Sequence, residues 1–144
     1  MPFGVGDHAV DILPSTMQRQ FGLAQELYTI YLGERLGLYR ALAESGAATS
    51  SELAARTGTT ERYVREWLEH HAASDLLAVD NPRAQPLARR YWLPPEHIPV
   101  LANPDDVRYQ GHAAVDIVRA GRSLPQLVES ISRWQRTATP AQGA

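Results

Sequence analysis

The stretch from Leu32 to Asp80 constrains the fold most, because it contains a helix, two capped helices and the start of a strand in unbroken order. Thr49 and Glu52 have the spacing of a capping box, in which each side chain bonds the other residue's backbone amide at a helix start. Gly58 follows the second helix, at a position where helices commonly end. Thr59 is placed to cap the third helix. This order of elements predicts the helical core of a winged helix.

Two short strands follow these helices, one on each side of a polar loop. Leu77 and Val79 lie in the first strand and Tyr91 and Leu93 in the second, and the loop from Asp80 to Arg90 is too long for a two-residue turn. We therefore expect a mainly α-helical fold with a small β-hairpin, built around a winged helix-turn-helix core. An extra N-terminal helix and two C-terminal helices are expected to form a dimerisation layer.

The helix before this core carries apolar residues on two sides. We predict a flexible arm for residues 1–14 and a helix that has Ser15 as its N-cap. Apolar residues then recur at helical spacing in two stripes: Met17, Phe21, Ala24, Tyr28 and Tyr31 in one, and Leu23, Leu27 and Ile30 in the other. A surface helix needs one such stripe. We expect one side to pack on its own domain and the other on a partner subunit; burial of both within one monomer is the alternative.

Two further helices are predicted after the hairpin. Residues 103–106, Asn-Pro-Asp-Asp, combine a cap, a fixed backbone angle and two carboxylates, as is typical of a helix start. The helix beginning there is predicted to carry Val107, Ala114, Ile117 and Val118. A last helix, from about Ser123, has one apolar face: Leu124, Leu127, Val128, Ile131 and Trp134. We expect the dimerisation domain to span residues 15–136 and the tail, residues 137–144, to be disordered.

Composition limits the classes of protein to which the chain can belong. Its 144 residues suit one domain, 44% of them are apolar, and no run is long enough to span a bilayer. Cysteine is absent, which excludes disulfides, thiolate metal sites and cysteine nucleophiles. The net charge of -2 gives no overall field that favours nucleic acid. We therefore expect a soluble cytoplasmic protein with no membrane partner.

The charges of the third core helix bear on function, because this helix enters the major groove when a helix-turn-helix protein reads DNA. From Thr59 to Leu76 two arginines stand against four carboxylates, a balance that repels phosphate. The arginines of the hairpin loop oppose this, since they could contact phosphates or a minor groove. The residues of the DNA-binding alternative are Arg62, Tyr63, Arg83, Arg89 and Arg90. Of the two functions, we expect a dimerisation domain first and a winged-helix DNA-binding transcriptional regulator second.

Four strings in the chain are specific in combination: LG-x-RLGLYRAL, SELA-x-RTGT, ERYVREWL and Y-x-LPPEH-x-x-VL-x-x-PD. Through them, residues 15–127 resemble the N-terminal winged-helix dimerisation domain of class I S-adenosylmethionine-dependent methyltransferases of the O-methyltransferase type. The resemblance implies a homodimer whose domain covers the mouth of a methyltransferase catalytic domain. It also implies that apolar and aromatic side chains line part of an acceptor pocket for a small apolar or aromatic molecule.

The cofactor loop of that family is missing from this sequence. Class I methyltransferases bind S-adenosylmethionine at a glycine-rich loop, roughly E/D-x-G-x-G-x-G, on a doubly wound sheet. None of the ten glycines falls in such a pattern. The chain alone should bind no cofactor and transfer no methyl group, and S-adenosylmethionine enters only if a catalytic domain is supplied elsewhere. The chain is then either one part of a larger enzyme or a stand-alone domain with another task.

Candidate site residues are few, and no catalytic residue or metal site is assigned. His112 and Asp116 have the i, i+4 spacing of a helical acid–base pair. A surface hydrogen bond is the plainer interpretation; a stand-alone pocket enzyme of natural-product biosynthesis is a further alternative. A substrate pocket between the first helix and the last two would be lined by Met17, Phe21, Tyr28, Tyr31, Tyr109, His112 and Trp134, for which core packing is the alternative.

Overall fold

The computed structural model describes residues 7–138, with side chains from residue 12 to residue 137. Within this part of the chain, the helices are α1 (Asp7–Arg35), α2 (Leu38–Ser45), α3 (Ser50–Thr57), α4 (Glu61–Ala73), α5 (Ile98–Leu101), α6 (Gly111–Arg122) and α7 (Leu124–Ala138). The strands are β1 (Ala78–Val79) and β2 (Tyr91–Trp92), and single 3-10 turns cover Pro86–Ala88 and Pro95–His97. The predicted fold class, a mainly helical winged helix-turn-helix with a small hairpin, is confirmed.

The hydrophobic core lies where α2, α3, α4 and the hairpin meet. Leu42, Leu53 and Leu68 come from the three helices and are almost completely buried, and Tyr91 closes the core from the hairpin side. Full burial of one leucine side chain contributes roughly 2 kcal/mol to stability. Burial of these side chains therefore stabilises the winged-helix core by itself, and the outer helices are attached to this core.

Local signals set the ends of the core helices. The capping box is present: the Glu52 amide donates to Thr49 Oγ1 over 3.2 Å, and the Thr49 amide donates to the Glu52 carboxylate over 2.9 Å. Gly58 follows α3 with φ at 66°, a conformation that favours glycine. The prediction that Thr59 caps α4 is wrong by one residue. Thr60 is the N-cap, because the Thr59 hydroxyl turns back to the end of α3.

The hairpin forms the wing beside these helices. β1 and β2 pair antiparallel, with Val79 opposite Tyr91. Ala48, just before α3, bridges Tyr91 through two backbone hydrogen bonds of 2.8 and 2.9 Å. At the base of the loop, the Arg90 amide donates to the Asp80 carboxylate over 3.0 Å, which holds the pKa of that carboxyl below its usual value. The wing is thus tied to the helical core.

The N-terminal helix is longer than predicted. α1 begins at Asp7, so residues 7–14, interpreted as an arm, are helical, and Pro14 lies inside the helix. A proline inside a helix removes one backbone hydrogen bond and usually kinks or ends the helix, but α1 continues through this position. Ser15 is not the N-cap: its hydroxyl donates to the Ile12 carbonyl over 2.9 Å. Residues 1–6 of the predicted arm lie outside the described residues.

The helix start predicted at residues 103–106 is wrong. These residues form turns, and α6 begins at Gly111. The side chains of Asn103 and Asp106 each accept from the amide two residues later, over 3.2 and 2.9 Å. Side chains that can cap a helix here close local turns instead. Val107, predicted on the helix, is completely exposed in this segment.

The last helix begins at Leu124, next to the predicted Ser123. Its predicted apolar face remains exposed in the single chain: Leu124, Leu127, Val128, Ile131 and Trp134. Thr137 and Ala138, assigned by the sequence to a disordered tail, belong to α7. Residues 139–144 lie outside the described residues.

Candidate functional site

A groove of about 570 Å³ runs between α1 and α4. Buried Val64 and Trp67 form its inner surface. Leu32 of α1 and Leu36, which directly follows α1, line it while both remain 46% exposed. Tyr63 of α4 lines the groove from the other helix. An open groove with a mostly apolar lining marks a place where another apolar surface can be buried.

Polar contacts join α1 to α4 beyond the leucines of the groove. Trp67 Nε1 donates to the Thr29 carbonyl over 2.9 Å. His70 Nε2 lies 2.9 Å from the Glu26 carboxylate, to which the Ser74 hydroxyl donates over 3.3 Å. These contacts hold the C-terminal half of α1 against α4, whereas the N-terminal half extends past this contact.

A buried aromatic cluster lies beside the groove. The ring of His71 stacks on Trp67 with 4.1 Å between centroids, and Tyr39 meets Trp67 edge-on at 5.1 Å. Tyr39 and His71 Nε2 share a hydrogen bond. Burial lowers the pKa of His71 to about 4 and raises that of the Tyr39 hydroxyl. Since His71 and Tyr39 are almost fully buried, these two residues support Trp67 from behind, and Trp67 is the member of the cluster that lines the groove.

The structure brings together two of the seven residues proposed for a pocket between α1 and the last two helices. The rings of Tyr109 and His112 meet edge-on, with 4.8 Å between centroids. The Tyr109 hydroxyl donates to Glu34 over 2.9 Å; burial, followed by this bond, raises the pKa of Tyr109 to about 12. Tyr31 lines a separate cleft of about 160 Å³ against α6. The other four are exposed: Met17, Phe21, Tyr28 and Trp134.

His112 and Asp116 do not form the pair that their spacing allows. Both are exposed on α6, and the structure records no hydrogen bond between them among the described residues. Asp116 lies 3.6 Å from Arg119, an exposed contact one turn along the helix. A mutual contact and an enclosure, which support acid–base chemistry, are therefore not formed around these two side chains in the single chain, and a catalytic role for them stays a prediction.

Three of the four arginines proposed for DNA binding are paired with carboxylates of the same chain. Arg62 lies 3.4 Å from Glu66 on α4, and Arg89 of the wing lies 3.2 Å from Glu69. Arg90 lies 3.2 Å from Glu52 and also donates to the Ala47 carbonyl over 3.0 Å. Arg83 and Tyr63 are exposed. Pairing within the chain reduces the positive field that phosphate recognition requires.

The described residues do not fit S-adenosylmethionine as class I methyltransferases bind it. The two strands within residues 7–138 are two residues long and antiparallel. These residues therefore do not form the parallel strand–loop–helix unit of that cofactor site. Nor do three histidine or acidic side chains converge there to hold a metal ion. No helix in the same range is both long and apolar enough to cross a membrane.

Sequence reasoning missed the groove between α1 and α4. Gly33 and Gly37 lie next to Leu32 and Leu36 and favour a bend in the chain, whereas α1 continues to Arg35. Gly33 is inside the helix because the rings of Trp67 and Tyr39 pack against its bare backbone. The apolar spacing at Tyr28, Leu32 and Leu36 was the available signal.

The winged-helix core of this chain matches a known domain family. The model of the Rv2258c-like winged HTH domain matches residues 25–103, more than half of the chain. This match covers the C-terminal part of α1, the helices α2 to α4, the wing and α5. No curated protein matches the chain as a relative.

Solved structures share the fold at low sequence identity. PigF with SAH gives a TM-score of 0.62 at 18% identity, covering 91% of this chain and 37% of that chain. Human N-acetylserotonin methyltransferase (ASMT) in complex with SAM gives 0.64 at 16% identity, covering 96% of this chain and 40% of that chain. The chain thus spans about two fifths of the length of these two proteins. Likeness at this identity shows the fold alone.

Proposed function

The chain belongs to the Rv2258c-like winged HTH domain family, and from this premise we propose that it is the dimerisation and substrate-side domain of a methyltransferase-like protein. In this proposal the winged-helix core is a scaffold. α1, α6 and α7 carry the contacts to a second copy and to a catalytic domain. The chain itself is non-catalytic.

The observation that carries the proposal is the exposure of apolar side chains on the flanking helices. Phe21 and Tyr28 of α1 are more than half exposed, and so are Leu127 and Trp134 of α7. Monomeric proteins rarely leave contiguous apolar patches of this kind in water, whereas subunit interfaces bury them. Since the core is filled without these residues, they are available for a partner.

The charges of α4 and the wing favour this role over DNA binding. The arginines at positions 62, 89 and 90 already face carboxylates of their own chain. A DNA-binding surface would have to break these pairs and would still present Glu66 and Glu69 to phosphate. These charges therefore favour a structural role for the helix-turn-helix over DNA binding.

The methyltransferase part of the proposal assigns cofactor binding to a separate catalytic domain. PigF was solved with SAH and ASMT with SAM, and each has the present fold in only part of its length. In the present chain, the α1–α6 cleft is lined by Tyr31, Val115 and Val118 together with the arginines at positions 35, 119 and 122, and we propose that a catalytic domain covers this mixed apolar and cationic surface. A small apolar or aromatic acceptor would bind between that surface and the catalytic domain.

Light scattering coupled to size-exclusion chromatography tests the dimerisation on which this role depends. We expect a particle of about twice the 15.9 kDa chain mass at micromolar concentration. The physical reason is that the apolar faces of two copies bury each other. A mass of one chain, unchanged as the concentration rises to tens of micromolar, would contradict the proposal.

A further inference from the structure

Six exposed apolar side chains share one side of α1 and the turn that follows it: Leu13, Met17, Phe21, Tyr28 and Leu32 of the helix, and Leu36, whose amide donates to the Leu32 carbonyl over 2.9 Å just after it. Each is between 38% and 60% exposed. At about 100° per residue, they fall within an arc of roughly 140° around the helix axis. We call them the α1 strip. Its length and continuity mark it as an interaction surface.

The α1 strip is symmetric along the chain. Its members form three pairs equidistant from the midpoint between Ala24 and Gln25: Leu13 with Leu36, Met17 with Leu32, and Phe21 with Tyr28. In an antiparallel pair of identical helices about a two-fold axis, each residue meets the residue at the mirrored position. The strip is therefore complementary to itself when Ala24 and Gln25 lie at that axis. Both of these residues are exposed.

We infer that α1 pairs antiparallel with α1 of a second copy, crossing at Ala24 and Gln25. Leu13 and Met17 of each copy then lie in the α1–α4 groove of the other, beside Leu36 and Leu32. This inference rests on the proposed dimerisation and specifies the surface that performs it. It also gives the groove its occupant, which is a second copy of this chain.

The remaining sides of α1 carry contacts within the chain, polar residues, or the separate exposed residues Ile12 and Leu23, which do not continue the strip. Glu26 contacts His70 and Ser74 of α4, and Gly33 is covered by the rings of Trp67 and Tyr39. The Tyr109 hydroxyl and α6 hold the side that bears Glu34. By helical geometry Arg19 projects about 170° away from the centre of the strip. The strip is thus the side of α1 that a partner can use along its length.

α1 is long enough for one half to pack on its own core and for the other half to reach a second copy. Its 29 residues make a helix about 44 Å long at 1.5 Å per residue. The half that contains Leu32 and Leu36 packs on its own core and borders the groove, whereas the half that contains Leu13 and Met17 extends past that contact. An antiparallel pair places each projecting half against the groove of the other copy, so both apolar surfaces are covered by one two-fold contact.

Engineered cysteines test this pairing cleanly, because the chain has no natural cysteine. Ala24→Cys places a thiol at the proposed axis, and Arg19→Cys, also exposed, is the matched control on the opposite side. Under mild oxidation we expect most Ala24→Cys chains to run as disulfide-linked dimers on a non-reducing gel. Arg19→Cys should give at least tenfold less. The Ala24→Cys product should be lost when oxidation is carried out in denaturant.

A second pair of variants tests the direction of the helices. Leu13→Cys and Leu36→Cys should each give little cross-linking alone and a strong cross-link when the two chains are mixed and exchanged before oxidation. In a parallel pair, Leu13→Cys would link to itself. That result would overturn the inference.

Light scattering on the same samples separates this inference from the proposed function. A dimer in which Ala24→Cys cross-links no better than Arg19→Cys would overturn the α1 pairing and leave dimerisation standing; the exposed face of α7 would then be the interface to examine. A monomeric chain would overturn both. A dimer with strong linkage at position 24 and at the mixed 13–36 pair supports the inference.

Discussion

His71 is a buried histidine whose neighbours determine its protonation state. Helical spacing places it on the same side of α4 as Val64 and Leu68, which predicts that it points inward, and the structure confirms this. Its partner could not be predicted, because Tyr39 lies 32 residues earlier in the chain and meets it only once α2 packs on α4. Within the described residues its Nδ1 atom makes no well-aligned hydrogen bond, and the backbone of Trp67 offsets only part of the effect of burial on its pKa. A protonated His71 would therefore be a poorly compensated buried charge.

Acid should destabilise the fold through His71. Its pKa is about 4 in the folded protein and 6.5 at its ordinary value, so the unfolded chain binds the proton more readily between these values. Stability is then fully present above pH 6.5 and falls as the pH drops towards 4. The predicted loss is about 2 kcal/mol between pH 7 and pH 5, measured by urea unfolding at one protein concentration.

The comparison of two variants isolates the contribution of this histidine. His71→Gln should lower the free energy of unfolding at pH 7 and flatten its dependence on pH between 7 and 5. His112→Gln changes an exposed histidine and should keep the wild-type dependence. An unchanged pH dependence in His71→Gln would show that other groups are responsible.

Gly33 is required by close packing within α1. A Cβ at this position would lie 2.5 Å from Trp67 Cζ2 and 2.5 Å from Tyr39 Cε2. Gly33→Ala should therefore lower the free energy of unfolding by roughly 1–3 kcal/mol, although alanine is the better helix former. Gly22→Ala is the control, since a Cβ there meets nothing within 4 Å, and it should raise stability by about 0.5–1 kcal/mol. Equal effects of the two changes on urea unfolding would refute the packing explanation.

At the scale of elements, the helix boundaries were predicted well where a signal acts locally and alone. The capping box at Thr49 and Glu52 and the end of α3 at Gly58 follow from chemistry within a few residues. Residues 103–106 contain equally good capping side chains, but these bond the amides of their own turn. The start of α1 at Asp7 was missed because two glycines, two prolines and the lack of helical periodicity in residues 1–14 favour an arm, yet Pro14 lies inside the helix. Contacts with the rest of the fold decide whether a polar side chain caps a helix or closes a turn. They also decide whether a proline ends a helix or lies inside it.

The two threonine N-caps provide an internal comparison at this scale. The Thr49 side chain accepts from the Glu52 amide, whereas Thr60 makes no side-chain capping bond. Thr49→Ala should lower the free energy of unfolding by about 1 kcal/mol, and Thr60→Ala by a few tenths at most. Thermal unfolding followed by circular dichroism measures both. A loss at Thr60 as large as that at Thr49 would contradict the assignment of the caps.

At the scale of the whole molecule, the sequence predicted two apolar sides on α1 and an apolar face on α7, but not which of these surfaces the domain covers itself. That depends on where α4 and α6 pack against α1, which is a long-range property. The structure leaves the α1 strip and the α7 face exposed and buries a core that needs neither. The residues predicted to line one pocket do not come together, because Phe21, Tyr28 and Trp134 lie on these uncovered faces. Their contacts are expected from other copies or domains.

Sedimentation equilibrium of two charge variants tests the central claim, that the outer face of α1 is a subunit interface, most directly. Phe21→Asp places a carboxylate in the α1 strip, and Leu23→Asp makes the same change at an exposed leucine on the opposite side. We predict that Phe21→Asp weakens dimerisation at least about 100-fold in Kd, because two buried carboxylates would lie near the two-fold axis. Leu23→Asp should remain within about threefold of the wild-type chain. A Phe21→Asp variant that dimerises as tightly as wild type would contradict the claim.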